Sequence, residues 1–223
     1  MVALYEKLRP TSIDEFIGFA ESVEQLVTMR DSIGWDGQVF CITGGSGNGK
    51  TTLARIIADE VADEFDIEEI DAQDLTMEIL RDWERRCVYC PTKKAHAFIV
   101  NEYHMLNTKI VSHLQTSLET PHVQKRGTFV FTSTNKGQQR FAETRFDAHP
   151  FLSRAIIVDL KLDADTLRLF AEYLHSVATS LNLNGKPLPA YFELLEECEG
   201  NMRSALQAIA SGKMTVKKSK VPA

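Results

Sequence analysis

Apolar residues in this chain fall into short β-rich runs separated by stretches with helical spacing. The clearest run, His96-Ala97-Phe98-Ile99-Val100, is almost wholly apolar, as expected of a strand buried on both sides. Runs at Val39–Ile42, Ile67–Ile70, Ala97–Asn101, Thr128–Thr132 and Ala155–Asp159 predict five strands. Between them, Thr51–Glu64, Thr76–Arg86 and Thr108–Leu118 have helical composition, with Leu53, Ile56, Ile57 and Val61 as the apolar residues of the first. Strands alternating with helices imply an α/β fold, a parallel five-stranded sheet flanked by helices. Upstream, an extended lead-in (Leu4–Pro10) precedes a short helix in which Ser12 and Glu15 are spaced as a capping box. Gly18 ends it, and Glu21–Arg30 reads as a second helix.

After Asp159 the pattern changes. Asp163–Leu181, Leu188–Glu197 and Asn201–Ser211 read as three helices separated by Asn-Gly-Lys-Pro and Glu-Gly-Asn breaks. The expected organisation is an α/β domain over 1–160, a small helical domain over 161–212, and a basic tail over 213–223, read as disordered. A chain of 223 residues suffices for this arrangement and its core. The net charge of −6 argues against general coating of nucleic acid and leaves room only for a local basic groove. Four cysteines without a secretory apolar segment suggest a reducing compartment. No apolar run approaches the length of a membrane span, so the expectation is a cytoplasmic protein with no membrane partner.

The chemistry lies in Gly44-Gly45-Ser46-Gly47-Asn48-Gly49-Lys50-Thr51-Thr52, a complete G-x-x-x-x-G-K-[ST] phosphate loop between a predicted strand and a predicted helix. The glycines let backbone N–H groups close around phosphate oxygens, and the helix N-terminus adds its dipole. Lys50 supplies a point charge for the β- and γ-phosphates, and the Thr51 hydroxyl suits Mg²⁺. The chain is therefore expected to bind a nucleoside triphosphate. Downstream, Phe98-Ile99-Val100-Asn101-Glu102 ends a buried strand on an acid, a Walker B arrangement in which Glu102 would orient and polarise the attacking water. The strand Phe129-Val130-Phe131-Thr132 delivers Ser133, Thr134 and Asn135 to the same sheet edge, where an amide could hydrogen-bond that water or the γ-phosphate.

In these residues the chain resembles the AAA+ ATPases, and among them the clamp-loader subunits: replication factor C small subunits and bacterial gamma/tau subunits. Leu4-Tyr5-Glu6-Lys7-Leu8-Arg9-Pro10 matches their "EKYRP" lead-in, continued by Ser12-Ile13-Asp14-Glu15-Phe16-Ile17-Gly18. Leu114 to Pro121 resembles "LLKTLEEP", Thr132-Ser133-Thr134-Asn135 the sensor 1 strand end, and Phe151-Leu152-Ser153-Arg154 the "LLSRC" arginine-finger motif, with Ala155 in place of Cys. Gly200-Asn201-Met202-Arg203-Ser204-Ala205-Leu206 resembles the sensor 2 helix "GDMRRALN". The resemblance implies ATP and Mg²⁺ as cofactors, Arg9 and Pro10 near the adenine, Arg203 on the γ-phosphate in cis, and Arg154 on a neighbouring subunit's γ-phosphate. It further implies a ring or spiral oligomer with other clamp-loader subunits, a sliding clamp, and primer–template DNA.

Two departures from the family stand out. Asn101 occupies the position of the Walker B Asp, which supports Mg²⁺ through water, so weaker Mg²⁺ affinity or slower turnover is expected. The matches end with the lid helix, and the collar that holds clamp-loader pentamers together is expected to be lacking. That brevity suits a viral form in a host's cytoplasm. A weakly hydrolysing scaffold subunit is the first alternative; another AAA+ motor, of helicase-loader or Holliday-junction type, is the second. Cys87-Val88-Tyr89-Cys90 is a lone C-x-x-C, read as reduced cysteines, with Cys41 and Cys198 in the core. Trp83 and Tyr89 are candidate anchors for the clamp, although the core stripe of a helix accounts equally for Trp83. Arg81, Arg85, Lys93, Lys94, Lys109 and Lys125 are candidates for a DNA-tracking face.

Overall fold

The structure, a computed structural model, describes residues 3–134 and 153–215. Strands β1 (Val39–Gly44), β2 (Ile67–Asp71), β3 (His96–Asn101), β4 (Gly127–Thr134) and β5 (Ile156–Leu160) form one sheet in the order β2-β3-β4-β1-β5. Every adjacent pair is parallel. Parallel neighbours need crossovers, and helices α3 (Lys50–Val61), α4 (Met77–Arg86) and α5 (Thr108–Ser117) supply them, with the short α6 (Pro121–Arg126) leading into β4. Ahead of the sheet lie α1 (Leu4–Lys7) and α2 (Ala20–Ser32); after it come α7 (Ala164–Ser180), α8 (Pro189–Glu197) and α9 (Met202–Ala210).

The alternation of side chains along each strand sorts the core into two layers. Phe40, Ile42, Ala97, Ile99 and Val130 face one side, against Leu53 and Ile57 of α3, Leu26 of α2 and the C-terminal helices through Phe170, Leu174 and Leu206. Cys41, Phe98, Val100, Phe129 and Phe131 face the other, against Leu80 and Trp83 of α4 and Ile110 and Leu114 of α5. Burial on both sides is why the middles of β3 and β4, Ala97 to Val100 and Phe129 to Phe131, are wholly apolar. The C-terminal helices share the first layer's core. The Phe19 N–H also donates to Thr166 Oγ1 at 3.0 Å, tying the start of α2 to α7.

Several expectations change in detail. Trp83 is fully buried and stacks on Phe98 at 4.7 Å between ring centroids, so it is core and not a docking anchor; Tyr89 is 72% exposed. The Ser12–Glu15 capping box does not form. The turn there is a short 3₁₀ one, and the Glu15 carboxylate reaches back one residue further, accepting from the Thr11 N–H at 2.9 Å and its hydroxyl at 3.2 Å. Those bonds, the backbone one foremost, hold the Glu15 carboxyl below the usual carboxylate range. Cys41 is buried as expected, but Cys198 is only half-buried. Of the basic tail, Met214 is buried and Lys213 pairs with Glu197; residues 216–223 lie outside the described residues. Among the described residues, no helix is long and apolar enough to cross a membrane.

The contrast between the two aromatic residues is measurable. Trp83→Ala should cost about 3–5 kcal/mol in urea denaturation, as a large core truncation does. Tyr89→Ala should cost less than about 0.5 kcal/mol.

Candidate functional site

In a parallel sheet all carboxyl ends emerge at one edge, where ligands of such folds bind. Here that edge gathers the phosphate loop after β1, Asn101 and Glu102 after β3, and Thr132 to Thr134 at the end of β4. Gly49 adopts a left-handed φ of 87° and caps α3, so Lys50 is the first helical residue and the open N–H groups of that turn face the loop. Lys50 Nζ donates to the carbonyls of Gly45 at 2.8 Å and Gly44 at 3.3 Å. Its burial pushes the ammonium pKa down, which the charge of Glu102 opposes and that of Arg203 reinforces. An arriving phosphate would give this ammonium a stronger partner than the carbonyls.

Gly47 shows why one position of the loop is a glycine. Its φ is 78°, and a Cβ there would stand 1.9 Å from Asn201 Oδ1. That oxygen accepts from the Ser204 N–H at 3.1 Å, capping α9. The phosphate loop and the last helix thus meet directly. Beside them is a cavity of about 120 Å³ lined by Tyr5, Arg9, Pro10, Ile17, Gly47, Asn48, Gly49, Thr52, Tyr173, Met202 and Arg203, among others. Arg203 stacks its guanidinium over the Tyr5 ring, 5.4 Å from the centroid. The structure therefore brings Arg9, Pro10 and Arg203 to the loop. The site also includes Tyr5, Phe16, Ile17, Tyr173 and Met202, which sequence reasoning did not assign; the contiguity of Phe16 and Ile17 with the lead-in motif was the available signal. Two buried polar atoms here, Asn48 Oδ1 and Arg9 Nη1, find no partner among the described residues. An apolar sleeve opening onto a glycine loop with unsatisfied polar atoms fits a nucleotide.

Oxygens also converge at the start of α3. Thr51 Oγ1 donates to Asn101 Oδ1 at 3.4 Å, and Thr132 Oγ1 donates to the same atom at 2.9 Å. Asn101 Nδ2 donates to Glu69 Oε1 at 2.8 Å, and Arg55 Nε donates to Glu69 Oε2 at 2.7 Å. Burial alone would raise the Glu69 pKa; the bonds from Arg55 and Asn101 outweigh it and keep the carboxyl ionised below its ordinary range. A hydroxyl and an amide oxygen are donors suited to Mg²⁺. Glu102 sits just past β3 with φ 53°, a strained conformation for a residue with a side chain. Its Oε2 lies 3.3 Å from His104 Nδ1, which is also 2.9 Å from Ser133 Oγ. Ser133 Oγ also lies within donating distance of the Thr134 carbonyl, 3.1 Å away. Asn135 lies outside the described residues.

Arg154 is elsewhere. It lies in the turn before β5, whose first residue Ile156 pairs with Phe40, toward the opposite end of the sheet from Gly44. At about 3.3 Å per residue the strand from Phe40 to Gly44 alone spans about 13 Å, beyond the reach of an arginine side chain. Its guanidinium pairs with Glu119. The candidate basic face is also divided: Lys93 and Lys94 engage Asp59 and Glu60 of α3, on the sheet face opposite Arg81 and Arg85 of α4. Cys87 is buried, which pushes its thiol up to about 11, while Cys90 is exposed.

A Walker-type loop at the carboxyl edge of a parallel α/β sheet, an acid after the buried strand two places along and C-terminal helices packed against the loop define a P-loop ATPase of AAA+ fold. Residues 34–156 match the family described as ABC transporter, and the chain belongs to that family of P-loop ATPases. No curated protein matches the chain. Among solved structures, a variant of RuvB from Thermotoga maritima is similar at 25% identity and a TM-score of 0.66, covering 91% of this chain and 64% of that one. The same organism's RuvB, described as a Holliday junction branch migration motor, is similar at 25% identity and a TM-score of 0.63 with the same coverage. The chain thus spans 64% of the length of these proteins.

Gly47→Ala tests the meeting of loop and lid. Its Cβ would displace the Asn201 side chain from the α9 cap, and its φ is strained, so affinity for a fluorescent ATP analogue should fall by about tenfold or more, the equivalent of about 1.4 kcal/mol.

Proposed function

We propose that this chain is an ATP-binding and hydrolysing subunit of a sliding-clamp loader, coupling ATP binding to clamp opening and loading on primer–template DNA. The succession of motifs from residue 4 to residue 208 in that family's order supports the reading. The single observation that carries it is the position of Arg154, toward the opposite end of the sheet from its own phosphate loop. An arginine there could serve a γ-phosphate only on a neighbouring subunit, which supports a ring or spiral as the active unit. Arg9 and Pro10 flank the adenine, and Gly44 to Thr52 hold the phosphates. Arg203 contacts the γ-phosphate from the helical unit over 161–212 and couples its angle to the 1–160 unit. Glu102 orients the attacking water, with Asn135 as its second contact. Mg²⁺ would be held by Thr51 and, through water, Asn101, and would neutralise phosphate charge. The compartment is the cytoplasm, a host's for a viral chain.

A branch-migration motor is the second reading, favoured by the likeness to RuvB. The two part on DNA structure. Steady-state ATP hydrolysis should rise at least about tenfold with primed DNA and a cognate clamp, and fall by about 10³ or more in both Lys50→Ala and Arg154→Ala. Mixing those two variants should restore part of the activity, since each retains what the other lacks. Stimulation by four-way junctions with no response to primed DNA would favour the motor. Activity unchanged in Arg154→Ala would remove the trans role.

A further inference from the structure

The amide of Asn101 can sit in two orientations that exchange its oxygen and nitrogen. Thr51 and Thr132 do not decide between them, because a hydroxyl can donate or accept. Glu69 decides. Both its oxygens are engaged as acceptors, Oε2 by Arg55 at 2.7 Å and Oε1 by Asn101 Nδ2 at 2.8 Å. Asp71 is the register partner of Asn101, and Glu69 lies two residues before it, so Glu69 and Asn101 share one face of the sheet.

We propose that Glu69 is a positioning residue for the cation side of the nucleotide site: by claiming Asn101 Nδ2 it turns Oδ1 toward Thr51. The proposal rests on Mg²⁺–ATP being the ligand of this site. With the oxygen inward, the Thr51 hydroxyl gives its proton to Asn101 and keeps its lone pairs for a cation. With the amide reversed, an Nδ2–H would occupy a Thr51 lone pair and set a partial positive charge against the cation. An Asp at 101 would face no such choice, because both of its oxygens accept. Asn101 therefore creates a requirement that Glu69, on the neighbouring strand, meets. Arg55 holds Glu69 in place but does not itself touch the amide in this network.

The test titrates Mg²⁺ against the full chain with a fluorescent ATP analogue at fixed concentration, reading binding and not turnover. Glu69→Met should raise the Mg²⁺ concentration for half-saturation about tenfold, the lower end of what such outer contacts are worth. Analogue affinity in EDTA should be unchanged. Arg55→Met, which breaks the ion pair and leaves the acceptor, should shift it by less than about twofold. In the Asn101→Asp background, Glu69→Met should also shift it by less than about twofold, because orientation no longer matters. Should the methionine variant fail to fold, Glu69→Gln gives one acceptor oxygen for two donors and should still raise the requirement about threefold. Equal shifts in both backgrounds, or Arg55→Met matching Glu69→Met, would reduce Glu69 to a structural ion pair and overturn the proposal. A wild-type chain that binds the analogue independently of Mg²⁺ would overturn the Mg²⁺–ATP reading and the proposal together.

Discussion

Everything at the site depends on a sheet whose strands all run the same way and are covered on both faces. Parallel pairing sends every carboxyl end to one edge, and double coverage keeps the middles of β3 and β4 apolar. Hence β1 ends in Gly44, β3 in Asn101 and β4 in Thr134, within hydrogen-bonding distance of one another's neighbours. The polar cluster is the place where the apolar requirement stops. Arg154 obeys the same geometry in reverse: it stands before β5 begins, and the direction of the sheet alone separates it from its own loop.

The second constraint is steric. Asn201 caps α9 and also stands where a Cβ on Gly47 would fall, so the lid's last helix and the phosphate loop share one small volume. The C-terminal helices are further bound to the first core layer through Phe170, Leu174 and Leu206. Two kinds of contact therefore join lid and sheet: an extensive apolar one that resists separation, and a tight polar one at the ligand. Arg203 and Met202 follow Asn201 directly and line the cavity beside the loop.

Much of this was legible in the sequence because it is periodic or local. Strand runs, the loop and the crossover helices follow from alternation, glycine spacing and helical composition, and β5 began one residue later than its composition suggested. What was not legible depends on long-range contact. Trp83 on α4 could be surface or core by its own pattern, and only the stack on Phe98 from β3 settles it. The cavity wall draws on Tyr5 and Ile17 from the lead-in, Tyr173 from α7 and Met202 from α9, segments far apart in sequence that only the fold brings together. Glu15 missed its expected partner because a 3₁₀ turn shifts the reach of its side chain by one residue, a distinction invisible in the spacing of Ser12 and Glu15.

Asn101 shows how a single departure changes the meaning of its surroundings. A carboxylate at that position presents acceptors on either side and makes few demands on its neighbours. An amide is polar in direction, so its use depends on what lies behind it. In this chain Glu69 lies behind it, fixed by Arg55, and the oxygen faces Thr51 and Thr132. The negative charge that an Asp would carry has not left the neighbourhood; it stands one strand away, on a side chain whose two oxygens are both engaged. At such a distance the charge still contributes to the field at the cation position, though less than direct contact would, because attraction falls with separation and Arg55 offsets part of it. With Mg²⁺ bound as proposed, an amide at this position would give weaker electrostatic support than a carboxylate while keeping an oxygen toward Thr51, so nucleotide binding and turnover need not fall together.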